Sequence, residues 1–143
     1  MKAAIWMGAV ALVLSQSASA QFGSPCACGG VLVTKPGLTL SGNTVCAARG
    51  SEKWSEFHEV GGRVLDYKGG TPEVVGSWTS NDSTVTYDYG SGGRYTWALC
   101  RVRTGGPYNF CQGTNIISGA TLKTGQTSCP GSRRRPERLT PTA

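Results

Sequence analysis

His58 is the only histidine in the chain, and Glu56 and Glu59 stand close on either side of it. An imidazole beside carboxylates has the chemistry of a general base or a metal ligand. A metal centre draws on three or four ligands, however, and no second histidine lies four residues away to share a helix face. The pattern therefore reads as a structural or surface histidine, and no catalytic residue, metal ligand or cofactor is assigned from it.

Three other patterns are weighed in the same way. Cys26-Ala27-Cys28 places two thiols close together, but a redox pair has two intervening residues, and an exported chain favours structural disulfides. Gly90-Ser91-Gly92-Gly93 looks like the surround of a serine nucleophile, yet a hairpin turn accounts for its glycines and nothing completes a triad. Glu52, Glu56, Glu59, Asp66, Asp82 and Asp88 could supply two carboxylates for glycoside cleavage, at a separation that only the fold can set. Scattered acids on a small domain are ordinarily solvated.

The aromatic residues are the more promising set. Trp54, Tyr67, Trp78, Tyr87, Tyr89, Tyr95, Trp97 and Tyr108 suffice to line an apolar pocket or to stack on sugar rings. The rings of the hairpin described below are required in the core. Trp54, Tyr67, Trp78 and Tyr108 are thus the expected ligand-binding residues.

These side chains need a scaffold, and the sequence describes one outside the cytoplasm. Lys2 precedes a short apolar run ending at Leu14, then Ser15-Gln16-Ser17 and Ala18-Ser19-Ala20, the layout of a signal peptide cleaved after Ala20. The apolar run falls short of the roughly 20 residues that a membrane-spanning helix needs. Removing residues 1–20 from the 143 leaves 123, enough for one domain with one modest core.

All six cysteines, Cys26, Cys28, Cys46, Cys100, Cys111 and Cys129, follow the cleavage point. An even number in an oxidising compartment predicts three disulfides, whose connectivity the sequence does not fix. Cys100–Cys111 is the preferred pair, because the ten residues between them include Thr104-Gly105-Gly106-Pro107 and can turn a strand back beside itself. From Gln21 to Gly131 nine Lys or Arg face seven Asp or Glu, so the domain is close to neutral. Residues 132–143, with Arg133, Arg134, Arg135 and Arg138, form a basic tail. Export separates that tail from nucleic acid, which is not expected as a partner. A solvated, disordered tail is expected, with weak contact to an anionic membrane surface as the sharper alternative.

Residues 21–131 read as a single all-β domain. β-prone runs at Val31 to Thr34, Asn43 to Ala47, Arg63 to Tyr67, Val74 to Thr79, Thr84 to Tyr89, Arg94 to Arg103, Tyr108 to Cys111 and Thr114 to Ile117 alternate with Gly, Asn and Pro. Ser51 to Glu59 reads as either a helical turn or a bulged strand. The strongest signal is the alternation in Thr84–Tyr89 and Arg94–Leu99 around Gly90-Ser91-Gly92-Gly93. A three-residue loop would pair Tyr89 with Tyr95, Tyr87 with Trp97 and Val85 with Leu99, all on one face. Thr86, Asp88, Thr96 and Ala98 fall on the wetter face. One hairpin cannot hide so many rings, so strands carrying Val64, Tyr67, Val75 and Trp78 must curl over it. The predicted fold is a small, disulfide-stapled antiparallel meander of about eight strands closing into a barrel or half-barrel.

Leu40-Ser41-Gly42-Asn43-Thr44, Trp54 with Glu56-Phe57-His58, Gly61-Gly62, Asp66-Tyr67-Lys68, Val75-Gly76-Ser77-Trp78 and Val85-Thr86-Tyr87 with Tyr89-Gly90 form a series of turn and core residues. From about Leu38 to Cys111 the chain resembles small exported bacterial proteins of uncharacterised function with a lipocalin-like sheet outline. The resemblance implies a fold and carries no catalytic residue across.

The functional expectation is a secreted or periplasmic, non-enzymatic β domain. It would bind a small apolar or carbohydrate ligand, or an envelope protein, at one end or face of its barrel. Two alternatives stand beside it: a hydrolase whose carboxylates converge in the fold, and an inhibitor whose braced loop, Arg101 to Tyr108, plugs a partner.

Overall fold

The computed structural model describes residues 26–68 and 71–132. The expected leader, residues 1–20, and residues 133–143 of the expected basic tail lie outside the described residues. The elements in chain order are β1 (Val31–Leu32), α1 (Pro36–Leu40), β2 (Asn43–Arg49), β3 (Glu52–His58), β4 (Arg63–Lys68), β5 (Thr71–Ser80), β6 (Thr84–Asp88), β7 (Arg94–Arg101), β8 (Tyr108–Gln112) and β9 (Asn115–Thr124).

From β2 to β9 every strand pairs antiparallel with the next, and β9 returns to β2 from Asn43↔Thr124 to Cys46↔Thr121. The sheet is therefore a closed eight-stranded antiparallel barrel, with β1 added beside β7 at Val31↔Arg101 and Leu32↔Cys100. The predicted all-β, disulfide-stapled barrel is what the chain forms. The β3–β4, β5–β6 and β7–β8 turns share one end with α1, and the β2–β3, β6–β7 and β8–β9 turns lie at the opposite end.

Alternation explains the core. On β6 Val85 and Tyr87 are fully buried while Asp88 is exposed, and on β7 Trp97 and Leu99 are buried while Arg94 and Thr96 are exposed. These residues join Leu40, Val45, Trp54, Val64, Trp78, Tyr89, Phe110, Ile117 and Ala120 in one continuous interior. Fully burying a large apolar side chain contributes about 2–3 kcal/mol, so the three buried tryptophans rank among the main stabilising groups.

The hairpin differs from its expected register. Tyr87 pairs with Tyr95, Val85 with Trp97 and Thr86 with Thr96, so the loop spans Tyr89 to Gly93 and not three residues. The Asp88 carboxylate accepts a hydrogen bond from the Gly90 N–H at 2.9 Å, where the ladder ends two residues earlier on β6 than a three-residue loop requires, and Gly90–Gly92 forms a 3₁₀ turn. A slip of one residue would have turned the rings outward; a slip of two keeps the face, so all six large groups still point inward.

Three further differences have local causes. Ser51 to Glu59 holds a strand, β3, in regular register with β2 from Thr44↔Phe57 to Arg49↔Glu52, and Trp54 faces inward while Phe57 does not. Pro36–Leu40 forms a single helical turn with Pro at its start and Leu40 fully buried, plugging one end of the barrel. β9 runs on through Ser118-Gly119, where an irregularity in the β8–β9 ladder restores Ala120 to the interior opposite Tyr108.

The disulfides are Cys26–Cys100, Cys28–Cys111 and Cys46–Cys129, which corrects the expected Cys100–Cys111 pair. β7 and β8 do form the hairpin that the spacing implied, with Ala98↔Cys111 and Cys100↔Asn109 in register. Their ladder already holds the two strands together. Each cysteine instead receives a partner from the N-terminal strap, Cys26 to Gly30, which lies across the outside of both strands. Gly30 has φ +83°, and a Cβ there would collide with the Arg101 carbonyl, so the close approach of strap to β7 requires glycine. Three disulfides belong to an oxidising, non-cytoplasmic environment.

Candidate functional site

The strand period that buries Trp54 on β3 also sends Glu56 and His58 inward. His58 is fully enclosed. Its Nδ1–H donates to the Glu56 carbonyl at 3.2 Å, which leaves Nε2 to accept the Tyr87 hydroxyl proton at 2.7 Å. Burial drives its pKa down to about 4, against the raising effect of hydrogen bonds to the Glu56 and Asn43 backbone. The same burial, with the Glu56 charge nearby, pushes the Tyr87 phenol well above its ordinary range. The ring packs edge-on to Trp78 at 5.3 Å and to Tyr87 at 5.5 Å. His58 is thus a neutral, doubly engaged core residue at physiological pH, with no nitrogen left for a substrate or metal.

The carboxylates divide into two groups. Glu52, Glu59, Asp82 and Asp88 are solvent-accessible, and Glu59 grips Arg63 through both carboxylate oxygens, at 2.5 and 2.6 Å. Glu56 and Asp66 are buried and stand directly opposite each other on β3 and β4, with Glu73 next in line on β5. The Tyr89 hydroxyl lies 3.3 Å from both Glu56 oxygens. Glycoside cleavage needs one carboxyl on each side of the scissile bond. Glu56 and Asp66 are enclosed, 4% and 5% exposed, and leave little surface for a substrate to reach. Glu73 escaped the sequence reading, because only the pairing of β4 with β5 brings it into this row.

The four expected ligand-binding rings are not brought to one place. Trp54 is in the core, at the edge of a hollow of about 220 Å³ formed with Ala47, Lys53, Ser118, Cys129 and Pro130. Tyr67 is buried on β4, and Tyr108 is half-buried on β8 against the interior. Trp78 lies at the helix-plugged end, where its indole N–H donates to the Glu59 carbonyl at 3.0 Å.

Trp78 also lines a groove of about 460 Å³ between α1 and the β5–β6 turn, together with Lys35, Gly37, Leu38, Ser41, Ser80, Asn81 and Asp82. That volume falls within the range of small-molecule sites. Leu38 at the groove is 80% exposed, and Val60, on the turn that holds the Trp78 indole, is 81% exposed. They are the two most exposed large apolar residues among those described. Lys35 sits here at φ 54°, ψ 58°, the only non-glycine residue with positive φ among those described. Its amide donates to the Asp82 carbonyl at 2.8 Å, joining the two walls. A left-handed conformation costs an L-residue about 1–2 kcal/mol, and such strain gathers at ligand clamps. Neither α1 nor the conformation of Lys35 is legible in the sequence.

The β7–β8 turn lies at the same end of the barrel as the groove, and the strap is bonded to β7 and β8. The Val102 amide donates to the Pro107 carbonyl at 2.9 Å, and the Arg103 guanidinium donates to the Gly106 carbonyl at 3.2 Å. The turn Arg101 to Tyr108 is thereby ordered between Cys100 and Cys111.

No protein-family model, no curated protein and no solved structure matches this chain.

Proposed function

We propose that the protein is a secreted or periplasmic, non-enzymatic binding domain with a lipocalin-like outline, and that its ligand is a small neutral molecule with one apolar face and several hydroxyls, as a carbohydrate has. The ligand sits in the groove at the helix-plugged end. The observation that carries this reading is the groove itself: the Trp78 indole and the exposed Leu38 line it together with Lys35, Ser41, Ser80, Asn81 and Asp82 as hydrogen-bonding groups. The apolar face packs on Leu38 and the accessible edge of Trp78, while the hydroxyls meet the polar wall. The disulfides and the sequence of residues 1–20 support an extracytoplasmic location.

Calorimetric titration of the oxidised chain with a panel of neutral oligosaccharides tests the reading. At least one member binds, and Leu38→Ser, Asp82→Asn and Lys35→Gly each weaken it about tenfold, or roughly 1.4 kcal/mol. Lys35→Gly also relieves the positive-φ strain, so its melting temperature rises while its affinity falls. A panel without a binder, or a binder indifferent to all three substitutions, defeats the reading.

A further inference from the structure

The two disulfides of the strap lie against each other. The sulfurs of Cys26, Cys28, Cys100 and Cys111 all fall within 4.8 Å of one another. Across the two bonds, Cys100 Sγ is 3.1 Å from Cys111 Sγ and 3.6 Å from Cys28 Sγ.

Tetrahedral zinc binds thiolates at about 2.3 Å, which sets its four sulfurs about 3.8 Å apart. Between the two bonds the Cys100–Cys111 and Cys28–Cys100 sulfur separations, 3.1 and 3.6 Å, are already close to that edge, and once the Cys26–Cys100 and Cys28–Cys111 bonds are reduced only those two pairs have to move apart. They come from two rigid sources. Cys100 and Cys111 are buried on the outer face of adjacent strands, in a register set by Ala98↔Cys111 and Cys100↔Asn109. Cys26 and Cys28 come from a tight turn in which the Cys26 N–H donates to the Gly30 carbonyl and the Gly29 N–H to the Cys26 carbonyl, each at 3.1 Å. Asn109 fastens that turn, donating to the Cys28 carbonyl at 2.8 Å and accepting from the Gly119 amide at 3.0 Å. The strap's attachment thus does not depend on the sulfur bonds alone. Cys26 and Cys28 are half-exposed, which leaves the cluster open to an entering ion.

We propose that Cys26, Cys28, Cys100 and Cys111 form a redox-gated zinc site: four thiolates hold one Zn²⁺ in the reduced chain, and oxidation to the two disulfides expels it. Each disulfide takes two electrons and two protons from one dithiol reductant, which leaves as a disulfide. Two dithiols therefore yield four thiols. Zn²⁺ then displaces their four protons and binds four thiolates. In the reverse direction two disulfide oxidants accept the four electrons, the strap disulfides form, and the metal leaves because sulfur in a disulfide is no longer a thiolate. Cys46 and Cys129 bond elsewhere, on β2 and the C-terminal segment, and take no part. The site shares no residue with the groove, so failure of either proposal leaves the other standing.

The experiment uses the full chain, reduced anaerobically with a phosphine, freed of reductant, and titrated with Co²⁺ as the optical probe. One Co²⁺ per chain should give the visible bands of a tetrahedral thiolate complex, and one equivalent of Zn²⁺ should bleach them. Cys46→Ser/Cys129→Ser keeps the bands and Cys26→Ser/Cys28→Ser loses them, with circular dichroism reporting the barrel in each. The oxidised chain binds neither ion through sulfur. A reduced chain without the bands, bands that persist in Cys26→Ser/Cys28→Ser, or a reduced chain that stays unfolded when Zn²⁺ is added would each overturn the proposal.

Discussion

Burial of His58 makes the barrel sensitive to mild acid by an amount that the structure defines. The folded pKa is about 4, against an ordinary value of 6.5. Above pH 6.5 the residue is neutral in both folded and unfolded chains and contributes no pH dependence. As pH falls below 6.5 the unfolded chain takes up a proton that the folded chain refuses until about pH 4. The unfolded state then binds more protons, so stability falls with pH at about 1.4 kcal/mol per unit. The loss is complete near pH 4 and amounts to about 3 kcal/mol, a large share of a small domain's 5–15 kcal/mol. Urea unfolding of the wild type and His58→Gln between pH 7.5 and 4 isolates this contribution. Glutamine can still accept the Tyr87 hydroxyl proton but does not titrate. The neighbouring Glu56, Trp78 and Tyr87 are common to both chains, so the difference between them reports on His58. Wild type should lose about 3 kcal/mol more than the variant across the window. Parallel curves would mean that His58 accepts its proton equally well in the fold, and the account of an enclosed, neutral imidazole would be wrong.

Other substitutions probe the framework. Trp97→Ala, at a fully buried position, should cost about 3–5 kcal/mol by urea unfolding. Gly76→Ala places a Cβ 2.5 Å from the Asp88 carbonyl and 2.9 Å from the Tyr89 ring, and the overpacking should cost about 1–3 kcal/mol, read from the same transition. Cys46→Ser/Cys129→Ser opens a loop of 83 residues and should lower stability by about 4–5 kcal/mol on the chain-entropy estimate, with a matching fall in melting temperature.

The sequence revealed the barrel because inward and outward residues alternate where it matters. Val85, Tyr87 and Tyr89, with Tyr95, Trp97 and Leu99, mark one face whatever the length of the loop between them, so the interior was legible even though the register was not. What fixed the register was a side chain acting on the backbone, Asp88 closing the turn at Gly90, and alternation says nothing about that. Cysteine pairing failed for a related reason. Spacing along the chain located the β7–β8 hairpin, but the partners of Cys100 and Cys111 come from a strap 74 and 83 residues away, placed by tertiary packing. The groove was legible only through Trp78. Its other wall depends on a five-residue helix too short to leave a periodic pattern and on a left-handed lysine that no composition rule predicts.

Circular closure also dictates when the molecule can become whole. β9 is the last of the described strands, yet it joins β2, the first strand of the ring, and Cys129 reaches back to Cys46 just beyond that seam. A chain emerging N-terminus first holds seven strands with two open edges until Thr124 arrives, and only then can the seam shut. Contacts so distant in sequence make folding slow and concentrate the decisive step at its end. Loss of even the last dozen described residues would leave an open sheet with adhesive borders in place of a slightly smaller barrel.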